Sequence, residues 1–126
     1  MNDNNNERMG SFQKSVRNAF RGLIYVTKTE KNFQMELLAA LVVVVLTIFL
    51  NVESWEAVIL IFLVMWILVA ELINTVLEKV VDIMKPRIHP YARIIKDIMA
   101  ATVLISSIFS LAVGVIIFWP YIEKLL

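Results

Sequence analysis

Glu71, Asn74, Glu78 and Asp82 follow one another at intervals of three, four and four residues. On a helix that spacing stacks all four on one face. The fourteen residues before them, 57–70, carry no charge. A membrane-type helix therefore bears three carboxylates and an amide along its last turns. Ionisable groups at such depth are costly and face a partner, a cavity or an ion. Hard oxygen donors at an interface suit Mg²⁺, which takes one or two carboxylates together with substrate phosphates. A carboxylate drawn away from water is suited to take a proton from a hydroxyl, and Glu71 is the deepest of the set. Glu30, Glu36 and Asp97 fall toward the same end of the molecule. Lys96 and a basic N-terminal helix can hold phosphates there as point charges. A lipid alcohol presents its hydroxyl just below the headgroups, at the depth of Glu71. The chemistry these residues suit is phosphoryl transfer from a soluble nucleotide to a membrane alcohol. The sequence has no Walker loop and no kinase-type glycine-rich loop, so the phosphates must be held otherwise.

The elements that must position these groups follow from composition. The chain has 126 residues, 60% of them hydrophobic, and a mean hydropathy of +0.76. Soluble domains hold about 45–50% apolar residues. The length permits one domain. The absence of cysteine excludes disulfides and thiolate metal sites. The net charge of +1 says nothing about partners, and no nucleic-acid partner is expected. Residues 1–10 are polar and Asn-rich, are expected to be disordered, and lack the apolar core of a secretory signal.

Residues 11–126 read as one integral-membrane domain: an all-α membrane protein with three transmembrane helices and an N-terminal amphipathic surface helix. The surface helix, about residues 12–28, sets Phe12, Val16, Phe20, Leu23 and Ile24 against Lys14, Arg17, Asn18, Arg21 and Lys28. Spans are expected at about 32–52, 55–82 and 92–120, allowing about 20 residues for a crossing. A short acidic turn holding Glu53 and Glu56 joins the first two. Two prolines, Pro86 and Pro90, end the second. Thr102, Ser106, Ser110 and Gly114 form a small-residue ridge on the third, along which a neighbouring helix can approach. Trp119, Pro120 and Tyr121 read as an interfacial stop. Eleven of the twelve Lys and Arg residues lie before the first span or around the second connection, and Lys124 alone lies on the other side. The positive-inside rule places the N-terminus, the loop around His89 and the carboxylate stripe on the cytoplasmic side of the membrane.

Plainer readings exist for each feature. Glu71 could pair with a cation for assembly only. His89 reads as a surface residue or ligand contact rather than a base, and Glu53 and Glu56 as solvated turn residues. Trp55, Trp66 and Trp119 suit interface or packing positions, and the methionines ordinary apolar filling. A small proton-coupled transporter could use Glu71, but the apolar outer half of the second span offers no polar path. A non-enzymatic assembly factor would have no need of so dense a stripe.

Three stretches bring a family into view: residues 71–82, ELINTVLEKVVD; residues 92–104, ARIIKDIMAATVL; and residues 20–23 with 30–36, FRGL and EKNFQME. The chain resembles the prokaryotic diacylglycerol kinase family, small integral-membrane lipid kinases, over nearly everything from Phe12 to the third span. The resemblance implies a homotrimer with active sites shared between neighbouring subunits. It implies that Glu71 is the proton acceptor, and that Glu30 and Glu78 ligate the Mg²⁺ that bridges the ATP phosphates. Asn74, Asp82, Lys96 and Asp97 would complete the nucleotide and metal shell, with Asn18 and the turn of Arg87, Ile88 and His89 near the nucleotide. Ser11 and Asn18 stand where the Gram-negative branch has a basic and an aromatic residue. The turn Ile88-His89-Pro90-Tyr91-Ala92 is similar to the Gram-positive branch, whose members favour undecaprenol. Undecaprenol is thus the implied substrate, with diacylglycerol, converted to phosphatidic acid, as the alternative.

Overall fold

The structure, a computed structural model, describes residues 3–84 and 90–126. Four helices follow one another: α1 (Asp3–Thr29), α2 (Lys31–Phe49), α3 (Ser54–Ile83) and α4 (Pro90–Leu125). No strand occurs among the described residues. The last three helices are each long and apolar enough to cross a membrane. The 30 residues of α3 extend about 45 Å, more than the roughly 30 Å hydrocarbon core, so its last turns can reach the interface.

The amphipathic first helix is longer than expected. It begins at Asp3, where disorder through residue 10 was expected. Met9, Phe12 and Val16 carry the apolar spacing a turn further upstream, and Gly10 weakens a helix by only about 1 kcal/mol. One residue, Glu30, separates α1 from α2 in extended conformation, at φ −101° and ψ 110°. Its N–H still donates to the Val26 carbonyl at 2.9 Å, and the Gln34 side-chain amide reaches back to the Thr27 carbonyl at 2.9 Å. These bonds fix the corner at which the surface helix leaves the bundle.

At the opposite end, Asn51 turns the chain with φ 50°, a left-handed conformation that Asn tolerates better than most residues. Glu53 keeps an exposed side chain, as expected of a turn residue, whereas the Glu56 carboxylate, also expected to be solvated, helps hold the C-terminal end. The Glu53 N–H donates to the Tyr121 hydroxyl at 3.1 Å, and that hydroxyl donates to Glu56. Past the interfacial stop expected at Trp119–Tyr121 the helix itself continues, α4 running through Pro120 to Leu125. Proline removes a single helix bond here, and Tyr121, clamped to the α2–α3 turn, fixes the turn that follows.

The centre of the bundle is α3, against which α4 and α2 both pack. Leu60 meets Ile117 and Phe118 near the Tyr121 end, with Val43, Leu46 and Val52 around them. Phe33, Val81 and Ala92 are buried toward the other end. Between these, the Trp66 indole donates to Ser106 at 3.2 Å, which ties α3 to α4 at mid-helix. A groove of about 820 Å³ lies between α2 and α4 on the face of α3, walled by residues such as Leu46, Leu63, Ser110 and Gly114 and reaching Glu36. A Cβ placed on Gly114 would meet nothing within 4 Å, so that end of the α4 ridge has open space beside it within the subunit.

Candidate active site

The stripe on α3 is graded by depth. Glu71 is 2% exposed and Asn74 4%, Glu78 is half-buried and Asp82 is exposed. One continuous helix produces this gradient, since each step of three or four residues moves about 5 Å along the axis. The result is a file of oxygen donors that begins inside the bundle and ends at its rim.

The inner members lack donors. One carboxylate oxygen of Glu71, Oε2, and the amide oxygen of Asn74 are buried with no hydrogen-bond partner. Native interiors seldom leave such groups unpaired, and those left unpaired mark catalytic groups or places for ions and water. Around Glu71 stand the carboxylates of Glu36, Glu78 and Glu30, with the Asn32 side chain beside it. Acidic groups near Glu71 give this end of the bundle a negative potential that favours cations. The Asn74 amide nitrogen donates to Glu78 Oε1 at 3.2 Å, which orients that carboxylate along the helix.

The outer members are capped by lysines. Lys79 Nζ lies 3.0 Å from Glu30 Oε1, joining the α1–α2 corner to the end of α3. Lys96 Nζ lies 2.8 Å from Asp82 Oδ1, joining the start of α4 to the same end. Glu30, Glu71, Asn74, Glu78, Asp82 and Lys96 are thus brought to one end of the bundle. Asp97 follows Lys96 on the exposed side of α4. Asn18 is not drawn to the stripe along its helix: it lies about 18 Å before Glu30 on α1 and accepts a bond from Arg21. Arg87, Ile88 and His89 fall outside the described residues. Among the described residues no three His, Asp or Glu side chains converge as a metal cluster, so the carboxylates offer at most a partial ligand set.

Three participants were not singled out from sequence. Lys79 reads as one more interfacial cation until Glu30 is seen opposite it. Asn32 and Ser107, the latter against Glu36, sit on helices whose facing could not be assigned from periodicity, because those helices are apolar on nearly every side.

Residues 17–118, a stretch that contains every candidate site residue, match the prokaryotic diacylglycerol kinase family. The chain belongs to that family. It is accordingly a lipid kinase, built as a multi-pass membrane protein. Among its relatives is the undecaprenol kinase of Bacillus subtilis (strain 168), 33% identical over 94% of this chain and 95% of that protein. The diacylglycerol kinase of Escherichia coli (strain K12) is 31% identical over 86% of this chain and 88% of its own. A diacylglycerol kinase of Synechocystis is 30% identical over 89% of this chain and 65% of its own length.

Proposed function

We propose that this lipid kinase transfers the γ-phosphoryl group of ATP to undecaprenol at the cytoplasmic face of a bacterial inner membrane. The observation that carries the reading is Glu71: a buried carboxylate with an unpartnered oxygen, one to two helical turns inside the α3 donors suited to a metal–nucleotide complex. Undecaprenol rather than diacylglycerol is favoured by the likeness to the Bacillus enzyme across almost the full length of both chains. Diacylglycerol is the second reading, favoured by the Escherichia relative. The test is phosphate transfer from ATP in mixed micelles with each alcohol in turn. A kcat/KM for undecaprenol at least tenfold above that for diacylglycerol supports the proposal, and the reverse order assigns the second substrate.

The donors fit Mg²⁺. Glu30 and Glu78 supply carboxylate oxygens, and the orphaned amide oxygen of Asn74 is a third hard acceptor close by. When bound, the ion would neutralise charge on the transferring phosphates. The remaining work falls to the chain. Glu71 takes the proton as the lipid hydroxyl oxygen bonds to the γ-phosphorus and the bond to the β-phosphate oxygen breaks, releasing ADP. Asn74 keeps Glu78 oriented. Lys96, with Asp97 beside it in sequence, offers its ammonium to phosphate. Burial of Glu71 keeps bulk water from competing with the lipid hydroxyl.

The active unit in this reading is a homotrimer with sites shared between neighbours. Its support is the open space beside Gly114 and the small core of a lone subunit. Gly114→Leu should weaken the trimer by holding a neighbouring backbone away. Size measurement in mild detergent should show smaller species at concentrations where the parent is intact. A fully active parent monomer would rule out shared sites.

Orientation follows from the eleven basic residues on one side. Single cysteines are clean probes because the chain has none. In intact cells an impermeant thiol reagent should label Ser54→Cys and spare Asp3→Cys. Labelling at position 3 would invert the topology.

A further inference from the structure

Glu30 and Asp82 each already hold a lysine. Glu30 is 22% exposed in its side chain and its backbone is fixed as the residue that starts α2. Its partner Lys79 is 52% exposed, on a solvated stem at the end of α3. A divalent ion that takes Glu30 and Glu78 would arrive at the oxygen Lys79 occupies at 3.0 Å. Two cations there repel each other, and the lysine is the one free to leave.

We propose that Lys79 is an exchange cation: it caps Glu30 in the empty site, is displaced by the divalent ion, and swings to the phosphates that arrive with that ion. The inference rests on the assignment of Glu30 to the metal under the proposed function. Its consequence is thermodynamic coupling. A metal ion alone must displace Lys79 with nothing to receive the ammonium. A metal–nucleotide complex brings its own anion for it. Lys79 therefore disfavours the metal alone and favours the metal with nucleotide, and coupling factors between two ligands run at about 5–150-fold. Lysine suits this role, being a flexible point charge, where arginine would fork onto the carboxylate and hold it.

The test uses the intact enzyme in detergent and measures binding, without turnover. Mn²⁺ is titrated by electron paramagnetic resonance, first alone and then with a non-hydrolysable ATP analogue. Lys79→Met should bind Mn²⁺ alone about threefold to tenfold more tightly than the parent, and the metal–analogue complex about tenfold more weakly. Lys79→Arg should bind both within about threefold of the parent or hold the metal off more strongly. If Lys79→Met weakens both, Lys79 is a brace for the α1–α2 corner and the exchange is wrong. If it changes neither, Lys79 is a bystander and the exchange is equally wrong. Glu30→Gln separates this inference from the reading beneath it. Unchanged Mn²⁺ binding in Glu30→Gln removes Glu30 from the metal, and with it both claims. Weakened Mn²⁺ binding in Glu30→Gln without tightening in Lys79→Met removes the exchange alone.

Discussion

Glu71→Gln should lower phosphoryl transfer about 10²–10⁴-fold, the range for loss of a positioned general base, while Mg·ATP affinity stays within about threefold of the parent. Glutamine keeps the shape of the side chain and removes the proton acceptor. An interaction made mainly in the transition state lowers kcat without much effect on ground-state binding. The structure adds a second expectation that a packing role would not meet. Glu71 is buried among Glu36, Glu78 and Glu30, and its Oε2 has no donor. Replacing it removes a buried charge from like charges and places an amide N–H₂ among acceptors. The thermal midpoint of Glu71→Gln should therefore equal or exceed that of the parent, as expected of a residue retained for activity at a cost in stability. Kinase rate, thermal midpoint and oligomer size measured on one preparation decide the matter. Near-parental transfer would remove Glu71 from the role of base. Loss of the trimer together with activity would make it a packing residue and move the search to Asp82 or Glu36.

The parts of this molecule that were legible in its sequence are those governed by local periodicity and depth. Three apolar runs, two of them extended by flanking polar turns to membrane length, marked the spans. The intervals among Glu71, Asn74, Glu78 and Asp82 gave one helix face, and the structure keeps all four on α3 with burial falling in that order. What was not legible depends on which side of an apolar helix meets another. On α2, apolar residues surround the axis, so nothing in sequence tells that Glu36 turns toward Ser107 of α4. The pairing of Lys79 with Glu30 joins residues 49 positions apart and depends on the angle of the Glu30 corner. The helix also runs on past the interfacial stop read at Trp119, Pro120 and Tyr121. A proline ends a helix when nothing secures the next turn, and Tyr121 secures it here through Glu53 and Glu56.

Glu78→Gln should fail in a different manner from Glu71→Gln. Glutamine at 78 keeps an acceptor for the Asn74 amide, which lies 3.2 Å from Glu78 Oε1, so the side chain stays oriented while its charge is lost. Removing a mere partner of a metal ligand costs about 10–100-fold in metal affinity, and a direct ligand should cost at least as much. Mg·ATP affinity should thus fall by about 10²-fold or more, with transfer at ordinary Mg²⁺ near background. Raising Mg²⁺ should recover part of the Glu78→Gln rate, because the defect lies in occupancy. It should recover none of the Glu71→Gln rate, because there the site fills and the hydroxyl keeps its proton. The measurement is initial rate against Mg²⁺ at saturating ATP and lipid for both variants, with Mg·ATP affinity determined separately. A Glu78→Gln enzyme that binds Mg·ATP as the parent does, and whose rate is flat in Mg²⁺, would take Glu78 out of the metal shell. The burden would then fall on Glu30 and Asp82, and Asn74 would orient Glu78 for some purpose other than the metal.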